Sequence, residues 1–150
     1  MIFERKLQDG ATAASSGGSP LDLHVVFTDL TSTLATLAAA SELARGLGAR
    51  MTIVAAQVVP YPLPLDDPPV AASFTERVLL EAASAQTVDT RVDIYLCRDR
   101  RQAIRQALKP DSLVVIGKRK RWWPTGEESL ARMLKRDGHR VIFQRLRLSE

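Results

Sequence analysis

Short, nearly unbroken apolar runs alternate along this chain with stretches whose apolar residues return every three or four positions. His24-Val25-Val26-Phe27-Thr28 is the first such run, the kind of segment that a strand buried on both faces requires. Leu37, Ala40, Leu43, Ala44 and Leu47 then repeat at helical spacing, with Thr31 to Thr33 offering N-caps and Gly48 a C-terminal stop. Met51 to Val59 predicts a second buried strand. Residues 60 to 69 hold five of the eight prolines and must form an extended connection, after which Phe74, Val78, Leu79, Ala82 and Ala83 mark a second helix.

The second half repeats the alternation. Val92, Ile94 and Leu96 alternate with Arg91, Asp93 and Tyr95, which predicts a strand with one wetter face. Asp99 is placed to cap a helix carrying Ala103, Ile104, Ala107 and Leu108, and Pro110 stops it. Leu113 to Gly117 is the fourth core strand. Thr125 and Glu128 have capping-box spacing ahead of Leu130, Met133 and Leu134, and Gly138 closes that helix before a fifth strand, Val141 to Leu146. Five strands separated by four helices predict an α/β fold: an open parallel sheet with helices on both faces and ligands at the carboxyl ends of strands one and four. Met1 to Leu7 could add a short strand, but the Ala-, Ser- and Gly-rich stretch from Gly10 to Pro20 reads as linker. Residues 1–21 are therefore expected to be a flexible extension, and residues 22–150 the domain.

A chain of 150 residues suits one domain able to bury a core without disulfide or metal staples. Cys97 is the lone cysteine, which suits a reducing compartment. No secretory leader pattern and no apolar run long enough to span a bilayer is present, so a cytoplasmic protein without membrane insertion is expected. The net charge of +4 is one-sided: residues 1–116 carry 11 Lys/Arg against 13 Asp/Glu, whereas residues 117–150 carry 10 against 4.

That basic character is concentrated where the fourth strand ends. Leu113-Val114-Val115-Ile116-Gly117 runs directly into Lys118-Arg119-Lys120-Arg121-Trp122-Trp123, and then Pro124-Thr125-Gly126-Glu127-Glu128. A glycine ending a buried strand lets backbone amides approach a phosphate. Four cations and two indoles stand here where further glycines would complete such a cradle. Lys118 to Trp123 reads either as a contact surface for a polyanion or protein, or as a basic turn whose indoles fold back over the cleft as a plug. One run of four cations is a small footprint, which disfavours nucleic acid.

Several segments together resemble the universal stress protein family. They are Val25-Val26-Phe27-Thr28-Asp29, Glu42 to Arg50, Met51-Thr52-Ile53-Val54, Val58-Val59-Pro60, Gln102-Ala103-Ile104, and Asp111 to Gly117. The resemblance covers roughly residues 22 to 146 and implies a Rossmann-like sheet, adenine nucleotide alpha hydrolase-like, of order 3-2-1-4-5. It also implies dimers formed through the fifth strand, here Val141, Ile142, Phe143 and Leu146. In nucleotide-binding members an aspartate after strand one holds the adenine end, and a Gly-x2-Gly-x9-Gly-(Ser/Thr) loop holds the phosphates. Asp29 matches the aspartate and Gly117 the first glycine. Lys120 replaces the second glycine, and Leu130 and Ala131 stand where the closing pair belongs. In a shortened loop Gly126 would be the third glycine, with Glu127 in place of the hydroxyl residue.

The resulting expectation is a non-enzymatic, stress-protein-like regulatory or interaction module that does not take ATP in the usual family manner. Its alternative is an adenine-nucleotide sensor, binding ATP, ADP or AMP through Asp29, Gly117, Lys118, Lys120 and Gly126. The polyanion-binding loop is a third reading. No nucleophile–base pair, carboxylate dyad or metal set can be assembled from the sequence. His24 and His139 read as surface histidines, Cys97 as a partly buried inert thiol, and Met51 and Met133 as core. Asp29 is open to a second role, as the cap of the following helix.

Overall fold

The computed structural model describes residues 5–9, 21–59, 70–119 and 126–146. The elements run β1 Arg5–Asp9, β2 Asp22–Val26, α1 Leu30–Leu47, β3 Arg50–Val58, α2 Val70–Ser84, β4 Thr90–Cys97, α3 Arg100–Ala107, β5 Leu113–Arg119, α4 Gly126–Arg136 and β6 Arg140–Leu146. One sheet holds all six strands in the order β1-β4-β3-β2-β5-β6. The five core strands expected from sequence are β2 to β6, all parallel, and in their own numbering they stand in the order 3-2-1-4-5. To them is added β1, antiparallel to β4, with Arg5 opposite Leu96 and Asp9 opposite Val92. Part of the segment assigned to the extension therefore forms an edge strand. Residues 10–20 lie outside the described residues, as do residues 60–69, assigned above to an extended connection.

Alternation along the strands sorts side chains into two cores. Leu23, Val25, Met51, Ile53, Val92, Ile94 and Val115 face Leu37, Ala40 and Ala44 of α1 and Leu79 and Ala83 of α2. Val26, Val54, Val114 and Ile116 face Ala103 and Ile104 of α3 and Leu130, Ala131 and Leu134 of α4. Fully burying one such aliphatic side chain is worth about 1.5–3 kcal/mol, so both helical layers are anchored by burial rather than by propensity. Met51 is buried and Met133 packs at the margin of the second core, as their apolar spacing implies.

Local signals set the helix ends. Asp29, in extended conformation, caps α1 by accepting the Ser32 amide at 2.8 Å. The expected caps at Thr31 to Thr33 are thus one turn too late. Thr33 is buried, and its hydroxyl accepts the Thr28 amide at 3.3 Å instead. Gly48 closes α1 at φ 64°, a left-handed conformation that glycine adopts without steric cost. Asp99 caps α3 as expected, accepting the amides of Arg101 and Gln102. Gly138, at φ 95°, follows α4, whereas Thr125 and its capping box fall outside the described residues.

Candidate functional site at the carboxyl edge of the sheet

In this topology α1, α3 and α4 all start above the carboxyl ends of the parallel strands, so their N-termini converge around the ends of β2, β3 and β5. The crevice opens between β2 and β5, where the chain direction of the crossovers reverses. Asp29 and Gly117 both reach this edge, and the structure gives each a local role. Asp29 holds the first turn of α1. Gly117 lies against α1: a Cβ there would fall 2.0 Å from Thr36 Oγ1 and 3.2 Å from both Thr36 Cβ and the Ser32 carbonyl oxygen. The glycine is therefore demanded by helix–strand packing, whether or not a ligand is bound.

The rest of the expected nucleotide set is described only in part. Gly126 is the exposed first residue of α4, where an added Cβ would meet open space. Lys118 and Arg119 continue β5, opposite Arg145 and Leu146 of β6. Lys120, Arg121, Trp122 and Trp123 lie outside the described residues, as does the plug assigned to the indoles.

Two arginines not singled out from sequence also reach this edge. Arg100, the first residue of α3, donates from Nη2 to the Phe27 carbonyl oxygen at 2.7 Å, at the end of β2. Arg98 donates from Nη1 to the Val59 carbonyl oxygen at 2.6 Å, just beyond β3. Burial pulls the Arg100 guanidinium below its ordinary pKa, while the Glu127 carboxylate on α4 and Cys97 pull it back up. Arg100 thus ties β2 to α3 and sits in the field of α4. Their one sequence signal is the charged triplet Arg98-Asp99-Arg100 at a strand end; its partners lie 39 and 73 residues upstream.

The histidine expectation is corrected. His24, within β2, and His139, in the connection between α4 and β6, are both buried. His139 Nδ1 accepts the Ser112 amide at 3.2 Å. His24 Nδ1 has no hydrogen-bond partner among the described residues. Desolvation lowers the His24 pKa, and this outweighs the opposing effects of Asp22, the Leu113 backbone and Asp93. Cys97 is fully rather than partly buried, with Sγ 3.6 Å from the Gln57 carbonyl oxygen. No cluster of three or more His, Cys, Asp or Glu able to hold a metal occurs among the described residues.

No protein-family model matches the sequence, and no curated protein matches it. Among solved structures, the universal stress protein from Archaeoglobus fulgidus is similar over 82% of this chain and 92% of its own, with a TM-score of 0.53 and 13% identity. The chain has a universal stress protein-like fold. That likeness is one of architecture, between sequences that differ at most positions. No described helix is long and apolar enough to cross a membrane.

Proposed function

We propose that this stress-protein-like domain acts as a non-enzymatic regulatory or protein-interaction module, and that it does not hold ATP in the manner of nucleotide-binding stress proteins. The observation that carries this reading is Arg100. Its guanidinium lies across the carboxyl end of β2, bonded to Phe27, at the edge where an adenine nucleotide would have to enter. Arg98 does the same at the end of β3. Gly117 supports the reading as well, since its missing Cβ makes room for α1. Glu127 and Glu128 in the first turn of α4 already complement the positive end of that helix dipole.

The test is titration calorimetry with ATP and magnesium. No saturable heat is expected at tens of micromolar, an affinity equivalent to about −6 to −7 kcal/mol. A one-site isotherm that disappears in Asp29→Ala overturns the proposal and favours the adenine-nucleotide sensor, with Asp29 and Gly117 at its centre.

The module is proposed to form a symmetric dimer through β6. That strand ends the sheet on its side, and Ile142 is 36% exposed there, so pairing with a second copy would cover both an open strand edge and apolar surface. Val141 and Phe143 are partly buried against the α4 side of the sheet, and Lys135 lies 5.9 Å from the Phe143 ring centroid. A cytoplasmic location is part of the same proposal.

A further inference from the structure

The two helical layers differ in charge among the described residues. On the α3/α4 side the exposed charged residues described between Asp99 and Asp137 are the cations Arg101, Arg105, Lys109, Arg132, Lys135 and Arg136 against the acids Asp99, Asp111 and Asp137, with Glu127 and Glu128 half-buried in the first turn of α4. On the α1/α2 side, exposed Arg45, Arg77 and Arg140, the last opposite Leu113 of the first core, stand against Glu42, Glu81 and Asp89. Among these residues an excess of three cations thus sits on one face, and none on the other.

The basic face is also ordered. Arg105 clasps Asp137 with two hydrogen bonds, at 2.8 and 3.1 Å, and Arg101 donates to the Ser129 hydroxyl, so α3 and α4 are pinned side by side. Beside this seam, Arg132, Arg136 and Lys109 have no carboxylate partner within ion-pair distance among the described residues. Arg132 and Arg136 are four residues apart on α4, about 6 Å along its axis, and Arg101 and Arg105 have the same spacing on α3.

We infer that the α3/α4 face is a docking surface for an acidic helical segment of a protein partner. The inference rests on the interaction-module reading and specifies its partner. Carboxylates at every fourth position of a helix repeat at the same spacing of about 6 Å as Arg132 and Arg136 on α4, so such a helix can set two successive carboxylates against them. A nucleic acid fits this face less well. Asp99, Asp111 and Asp137 interrupt the cations and would meet a continuous phosphate backbone, and the described rings on this face, Tyr95 and Phe143, are half-buried against the second core.

The test is fluorescence anisotropy of the full chain with a labelled alanine-based helical peptide carrying glutamate at every fourth position. A control peptide has glutamine at those positions, and labelled oligo-dT serves as the nucleic-acid probe. Saturable binding of the glutamate peptide is expected at low salt, weakening by about tenfold or more between 50 and 300 mM salt as screening shortens the Debye length. Arg132→Glu/Arg136→Glu, both exposed and outside the α3–α4 seam, should lower affinity by a further factor of about ten. Circular dichroism would establish that this variant folds. Equal binding of the glutamine peptide, indifference to the charge reversal, or tighter binding of oligo-dT overturns the inference. If peptide binding fails while ATP still gives no heat, only the docking surface is lost; a one-site ATP isotherm dependent on Asp29 removes the module reading itself.

Discussion

Gly117→Ala isolates the packing role of the glycine at the carboxyl edge. The added methyl would sit 2.0 Å from Thr36 Oγ1, far inside any tolerated contact, and 3.2 Å from Thr36 Cβ and the Ser32 carbonyl oxygen. Thr36 Oγ1 donates to that same carbonyl at 2.7 Å, so rotating the hydroxyl away sacrifices a buried hydrogen bond. Rotation cannot relieve the two contacts at 3.2 Å, and α1 must also move by a few tenths of an ångström. Overpacking of this kind costs about 1–3 kcal/mol, and the lost hydrogen bond about 0.5–1.5 kcal/mol. A total of about 2–4 kcal/mol is expected. Urea unfolding followed by circular dichroism measures it as a lower midpoint with an unchanged slope. Thr36→Ala removes the oxygen at 2.0 Å but retains Cβ, so in that background the same substitution should cost only about 1–2 kcal/mol. A neutral Gly117→Ala, or a cost identical in both backgrounds, would refute the packing argument and leave a ligand-cradling role as the reason for glycine.

Three further outcomes follow from the same geometry. Because burial holds the His24 pKa below that of the unfolded chain, the unfolded state takes up the proton first: stability is full above about pH 6.5, falls as the pH drops toward the depressed folded value, and levels off below it. Urea midpoints measured between pH 8 and 5 should show this slope and lose part of it in His24→Leu; an unaltered slope assigns the acid sensitivity elsewhere. Asp29→Ala should cost about 1 kcal/mol through loss of the α1 cap and Asp29→Ser much less, and equal losses in the two variants would contradict capping as the main role. Ile142→Lys should convert the proposed dimer to monomer in light scattering at high micromolar concentration, and a dimer indifferent to the change would place the interface away from β6.

The order of elements, the parallel sheet and caps such as Asp99 and Gly48 are legible along the chain. Each depends on residues within about one or two turns of one another, where periodicity and capping act locally. The run from Lys118 to Trp123 is equally conspicuous in sequence, and from Lys120 onward it lies outside the described residues. What the tertiary structure decided are matters of reach and approach. Whether Arg5–Asp9 is linker or strand depends on β4, more than 80 residues onward, offering an open edge. Whether Gly117 serves a phosphate or a helix depends on how closely α1 crosses β5. His24 opens its apolar run and His139 stands between a helix and a strand, so both look like surface residues, yet both are buried in the folded chain. Arg98 and Arg100 give the clearest case. Long cationic side chains are usually solvated, and only the packing of α3 against the sheet brings carbonyls 39 and 73 residues away within their reach.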